Sequence, residues 1–273
     1  MNNFSETDQK LAQEFENFAY NLANKAGKHI VSSLSQEINV SYKDSGSKNI
    51  NPRDPVSDID KAVEKMIFGE INQQYPDHAF LGEEFSDVFD ASKEFTWIID
   101  PIDGTQNFVN GVPFYSCSIG ILKRGLPIAA AIWGVVTHMG TSGVYHTHRG
   151  GALKLDGQIL DGLGRLNKGK IRGIVTTPVK HSQSNSFEYR NLGSTALEGA
   201  LVAAGVLRAS KHPDPHIWDV AACILLAQSA KCEVWTCGQK GWELFDRFNP
   251  EKLVSWRQST LIADSETAEG LRN

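Results

Sequence analysis

Apolar residues recur at steps of three and four near the start of the chain: Leu11, Phe15, Phe18, Leu22, Ala26, Ile30 and Leu34. That period predicts a long amphipathic helix over residues 7 to 36. A polar stretch rich in turn formers follows over 43 to 55. Ser57 with Asp60 three residues later has the pattern of a capping box. It opens a second helix through Ile59, Val63, Met66, Ile67 and Ile71, which Pro76 closes. The pattern then changes: short apolar runs at 79–81, 95–99, 114–122 and 127–136 are each bounded by Gly, Pro or charge and predict strands. Residues 140–165 are thick with glycine and predict hairpins and connections, with the softest boundary of the chain among them. Beyond it the pattern predicts a strand at 171–176, an Ala-rich helix at 194–204, an apolar helix at 218–230 and a strand at 233–236. Helices come first, then strands, then mixed elements, which favours an α+β arrangement over a Rossmann sheet. The expected division is an N-terminal α+β half, 1–142, and a C-terminal α/β half, 143–273.

The 273 residues carry 27 Lys and Arg against 32 Asp and Glu, a net charge of −5. With 41% hydrophobic and 22% charged residues, the chain has the composition of a folded globular protein. Its basic residues are scattered, so there is no electrostatic footprint for nucleic acid. No apolar run approaches the roughly 18 residues of a membrane span. The Met1-Asn2-Asn3-Phe4 start lacks the basic flank and apolar core of a secretion signal. A cytoplasmic location is expected, with Cys117, Cys223, Cys232 and Cys237 reduced and mostly buried.

The chemistry concentrates in Trp97-Ile98-Ile99-Asp100-Pro101-Ile102-Asp103-Gly104-Thr105. A buried strand is expected to stop at Asp100, because Pro101 has no N–H for a sheet ladder. Gly104 permits a backbone turn that other residues resist, and a helix starting near Thr105 would aim N–H groups forward. Two carboxylates and a helix N-terminus suit different ions. The combination makes sense if hard divalent cations sit on the carboxylates and a phosphate bridges to the N–H groups. A single Asp would be read as a cap; two of them beside Asp-Gly-Thr favour a site. Gly82-Glu83-Glu84 ends another short apolar run and would deliver a carboxylate to the same sheet edge. Asp219, opening the helix after Trp218, is a further candidate whose bland alternative is N-capping.

Asp100-Pro101-Ile102-Asp103-Gly104-Thr105 with Asn107-Phe108, Gly82-Glu83-Glu84 and Trp218-Asp219-Val220-Ala221 resemble the signatures of the inositol monophosphatase family. Asp54-Pro55-Val56-Ser57-Asp58-Ile59-Asp60 resembles that family's segment before the second helix. The resemblance implies a layered αβαβα sandwich, a homodimer and a phosphomonoesterase acting on a small phosphorylated polyol. It implies two to three Mg²⁺ ions. Glu83, Asp100 and the Ile102 carbonyl would hold one; Asp100, Asp103 and Asp219 would hold a second; a third would lie near Glu83. Glu83 and Thr105 would activate the attacking water, with Asp54 supporting Thr105. N–H groups of Gly104 and Thr105 would take the phosphate. Gly193, Ser194, Thr195, His212 and Asp219 would face the substrate.

The chain also departs from the family pattern. His212 falls where animal members carry a Glu that contacts inositol hydroxyls, and Lys211 beside it would make the rim more basic. Gln106 replaces a more usual Thr, and Lys231-Cys232 stands where Gly-Gly is usual. Tyr75-Pro76-Asp77-His78 and Thr176-Thr177-Pro178 resemble the histidinol-phosphate phosphatases of the same superfamily, which stay as an alternative. Others are a bisphosphatase for fructose or a 3′-phosphonucleotide and, outside enzymes, a regulatory RNA- or transcription-associated protein. His146 and His148 share one face of a strand, but with no third ligand in sequence they are read as an exposed hairpin.

Overall fold

A computed structural model of the protein describes residues 5–35, 40–42, 55–85, 89–161, 173–178 and 187–272. The first helix, α1, spans Glu6–Ser33, and the second, α2, spans Asp58–Gln74. Both start with capping boxes, Ser5 with Asp8 and Ser57 with Asp60. The second box is the one expected from sequence. Val40–Tyr42 (β1) and Pro55–Ser57 (β2) form a small antiparallel ribbon ahead of α2.

Seven strands form the first sheet: β3 Ala79–Gly82, β4 Phe95–Asp103, β5 Ser116–Lys123, β6 Leu126–Gly134, β7 Gly143–His148, β8 Lys154–Leu155 and β9 Gln158–Ile159. They lie in that order, with β3 parallel to β4 and every later pair antiparallel. A short helix, α3 (Thr105–Val109), follows β4. The sheet continues through the 142–143 position as far as Ile159. Its central strands are buried on both faces, which explains why they read as continuous apolar runs rather than alternating ones.

The second sheet contains β10 Gly173–Thr176, β11 Phe187–Arg190, β12 Ala209–His212, β13 Glu233–Gly238, β14 Gly241–Leu244 and β15 Ser259–Ala263. Its order is β11-β10-β12-β15-β13-β14. Helices α4 (Thr195–Ala203) and α5 (Ile217–Ser229) contact strands of both sheets. A helix between two sheets has no solvent face, so α5 is apolar nearly all round, with Val220 through Ala227 buried without a break. On the other face of the first sheet lie α1 and α2; α6 (Ser265–Leu271) lies on the second sheet. The layers therefore run helix, sheet, helix, sheet, helix: the αβαβα sandwich.

One buried charge ties α1 to the first sheet. Glu16, fully buried, receives hydrogen bonds from His146 Nδ1 at 2.7 Å, His148 Nδ1 at 2.5 Å and Lys154 Nζ at 3.0 Å. The Gly157 N–H donates to His146 Nε2, which assigns the ring proton to Nδ1, facing Glu16. The histidine pair is thus not an exposed hairpin: His146 is buried under α1, and the pair serves a carboxylate. Burial alone would raise the Glu16 pKa, but the bonds from His146, His148 and Lys154 win and hold it well below the usual carboxylate range. Its stabilising contribution is present above the unfolded value and is lost as pH falls through the folded one. Glu16→Ala leaves these donors unpaired, and chemical denaturation at neutral pH is expected to show a loss of about 3–5 kcal/mol in unfolding free energy.

Candidate active site

Asp100 and Asp103 are three residues apart on one strand, so simple alternation would send them to opposite faces. The pairing with β5 shows why it does not. Asp100 lies opposite Ser118 and Asp103 opposite Ser116, so three steps on β4 match two on β5. That bulge restores the parity and sets both carboxylates on one side. The expected stop at Asp100 is corrected: the strand runs on to Asp103, with Pro101 inside the bulge, where a missing N–H breaks no ladder bond.

Gly104 then turns with φ of 94°, and a side chain there would also meet the Gly193 carbonyl at 2.9 Å. Only glycine suits both demands. Asp219 arrives from the first turn of α5, where its Oδ2 accepts the His216 N–H at 2.7 Å. It therefore does complete a capping box, and it also joins the other two. Asp100, Asp103 and Asp219 each offer one oxygen, and these atoms lie within 4.8 Å of one another.

Asp103 is the most heavily bonded of the three. Its Oδ2 accepts from Ser116 Oγ at 3.0 Å, from the Ala196 N–H at 3.0 Å and from Ser194 Oγ, while Oδ1 accepts the Thr195 N–H at 3.1 Å. A carboxylate from β4 thus caps α4 and draws Gly193-Ser194-Thr195 to the site. Burial still pushes the Asp103 carboxyl up, against those bonds. Asp219 is raised well above the carboxylate range, first by burial and then by the charges of Asp103 and Glu83. Negative charge is strongly disfavoured here, which is the electrostatic condition that a bound cation relieves. Oxygen donors crowded at this spacing could hold a hard divalent ion.

Glu83 leaves the end of β3, its N–H bonded to the Ile99 carbonyl at 3.2 Å, next to Asp100. It stands outside the group of three, although its charge reaches Asp219 and Asp60. The Ile102 carbonyl accepts Thr105 Oγ1 at 2.9 Å, and Thr105 Oγ1 also lies 3.2 Å from Asp60 Oδ1. Asp54 lies outside the described residues; the described carboxylate on Thr105 is that of Asp60. Sequence reading assigned Asp60 a capping role alone, and it has both.

The substrate-side expectations divide along β12. Lys211 and His212 are neighbours on a strand and so take opposite faces. His212, buried, puts Nδ1 3.4 Å from Thr195 Oγ1 and Nε2 3.2 Å from Glu198 Oε2 and 3.1 Å from Ser210 Oγ. Lys211 points the other way, over the Trp242 ring with its Nζ on the Leu271 carbonyl. It does not make the rim basic. Glu198, absent from the sequence-based candidates, accepts the Leu192 and Gly193 N–H groups at 3.2 and 3.0 Å.

The match to the inositol monophosphatase family model runs over residues 11–271. The chain is 32% identical over 239 residues to inositol monophosphatase 1 of Sus scrofa, covering 80% of this chain and 82% of that one. It is 31% identical over 231 residues to the Nus factor SuhB of Vibrio cholerae, covering 78% and 82%. A crystal structure of an IMPase/NADP phosphatase complexed with Mg²⁺ and phosphate has the same fold, with a TM-score of 0.76 at 20% identity over 96% of this chain and 95% of that one. The protein belongs to the inositol monophosphatase family and is a phosphoric monoester hydrolase of that family. Among the described residues no helix is long and apolar enough to cross a membrane.

Burial pushes the Asp60 carboxyl up to about 6 and the Glu64 carboxyl up to about 7, the charges of Glu83 and Glu84 adding to both. Both acids hold protons more tightly folded than unfolded, where they titrate at about 4. Their stabilising contribution is therefore full below about pH 4 and lost as pH rises through 6 and 7. In EDTA the melting temperature is expected to fall between pH 5 and pH 8. Saturating Mg²⁺ is expected to raise it more at pH 8 than at pH 5, as thermal melts at the two pH values would show.

Proposed function

We propose that the protein is a Mg²⁺-dependent phosphomonoesterase that hydrolyses a small phosphorylated polyol by direct in-line attack of water. The observation that carries this reading is the convergence of Asp100, Asp103 and Asp219 beside the turn at Gly104 and Thr105. Asp100, Asp103, Asp219, Glu83 and the Ile102 carbonyl are all oxygen donors and would hold two to three Mg²⁺ ions. Bound Mg²⁺ supplies positive charge to the phosphoryl and leaving oxygens and makes water easier to deprotonate. N–H groups of Gly104 and Thr105 orient the phosphate.

Thr105 commits its hydroxyl hydrogen to Ile102 or Asp60, so its oxygen is left to accept a hydrogen bond that orients the attacking water, whose other proton is free to leave. Glu83 takes up that other proton, and Asp60 fills the supporting role expected of Asp54. Burial pushes the Cys117 and Cys223 thiols far above their ordinary value, so neither supplies a thiolate nucleophile, and no covalent intermediate is required. Gly193, Ser194 and Thr195 face the polyol, while His212 fixes Thr195 from behind, its ring shared among Thr195, Ser210 and Glu198. The working form is a cytoplasmic homodimer.

Phosphate release with Mg²⁺ would be measured on myo-inositol 1-phosphate, histidinol phosphate, fructose 1,6-bisphosphate, a 3′,5′-bisphosphonucleotide and glycerol 2-phosphate. The cyclic polyol ester, myo-inositol 1-phosphate, is expected to exceed the others by about ten-fold, or 1.4 kcal/mol. A leading bisphosphate or histidinol phosphate would overturn the substrate class. Asp103→Asn is expected to lower turnover by roughly 100-fold or more and to weaken Mg²⁺ binding. Undiminished activity in that variant would refute the mechanism. Likeness to the Vibrio cholerae Nus factor SuhB supports one second reading, a transcription-associated role on the same fold. A cellular role that Asp103→Asn still fulfils would favour it.

A further inference from the structure

Glu64 is a carboxylate with no part in the chemistry described so far, and it is fully buried on α2. Its two oxygens are both occupied. Oε2 accepts the Glu84 N–H at 3.0 Å and Oε1 accepts the Phe85 N–H at 2.7 Å. The contact extends to Gly82, where an added β-carbon would stand 2.1 Å from Glu64 Oε1, so the chain passes against the carboxylate with no room for a side chain. On the opposite side the Glu83 N–H is held by the Ile99 carbonyl, one residue before Asp100. The turn that carries Glu83 is therefore clamped from two directions, by β4 and by Glu64.

We propose that Glu64 is a positioning residue for the divalent-cation site: it fixes the Gly82–Phe85 turn so that Glu83 is presented beside Asp100. The inference rests on the reading of Glu83 as a metal ligand. A turn free to move would have to be ordered each time a cation binds, and the cost would appear as weaker binding. A clamp made of main-chain N–H groups on a buried carboxylate removes that cost in advance. It also accounts for the sequence Gly-Glu-Glu: Gly82 lets the chain approach, Glu83 faces the site, and Glu84 contributes its N–H to the clamp. A purely structural Glu64 would contribute to folding but leave cation affinity alone.

The test is a calorimetric titration of Mg²⁺ into the metal-stripped protein, with thermal melts to check folding. In Glu64→Gln one accepting oxygen becomes an NH₂ group that faces an N–H donor. Its Mg²⁺ dissociation constant is expected to rise by about ten-fold or more. Phe85→Pro attacks the same clamp from the exposed side by deleting one donor, and it should show the same loss even if Glu64→Gln folds poorly. Phe85→Ala keeps the donor and should bind Mg²⁺ within about two-fold of the unaltered protein, against the ten-fold or more expected when a group that holds a metal ligand in place is lost. Faster amide exchange at Glu84 and Phe85 in Glu64→Gln, with the rest of α2 unchanged, is also expected. Glu64→Gln and Phe85→Pro proteins that fold and bind Mg²⁺ as the unaltered protein does would overturn the proposal while leaving the phosphatase reading intact. Failure of the unaltered protein itself to bind Mg²⁺ would overturn that reading and the proposal with it.

Discussion

Three carboxylates held within 4.8 Å of one another in a buried place repel each other, and the rest of the structure is arranged around enforcing that proximity. Two devices bring them together. A bulge carries Asp100 and Asp103 to one side of β4, and the first turn of α5 brings Asp219 across from the helix layer. The bonds on Asp103 show how the strain is distributed: its oxygens cap α4, so the charge that the site needs also orders Gly193-Ser194-Thr195. Charge repulsion at one point is offset by hydrogen bonds that cap α4 and fix the segment leading into it.

The layered scaffold makes this possible because it gives every element a fixed neighbour. Helix α5, buried between the sheets, cannot shift without disturbing both, and Ser118 Oγ reaches its Trp218 carbonyl at 3.3 Å. On the outer face α1 is held to β7 and β8 through the fully buried Glu16 with His146, His148 and Lys154. The turn at Gly104 and the Glu83 turn are thus carried by strands whose positions are set by packing on both faces.

Much of this was legible in the residues. The period of α1, the capping box at Ser57 and Asp60, the apolar central strands and the acidic triplets all follow from local patterns that the structure keeps. What was hidden depends on parity or on distance. A bulge is invisible to alternation, so the strand was expected to end at Asp100. Lys211 and His212 look like one basic pair in sequence, yet a strand sends them to opposite faces. His146 and His148 look exposed until α1, more than a hundred residues earlier, lays Glu16 across them. Asp60 reads as a cap and Glu64 carries no signal at all; their bonds to Thr105, Glu84 and Phe85 cross between elements, and no spacing rule reports that.

The proposed chemistry depends above all on Asp100, Asp103 and Asp219 forming a divalent-cation site. Crystals grown with Mn²⁺ in place of Mg²⁺ and measured at the manganese absorption edge test it most directly. The account predicts an anomalous peak among these three carboxylates, with Glu83 and the Ile102 carbonyl near it. Crystals of the folded protein at saturating Mn²⁺ with no peak between the three would contradict it.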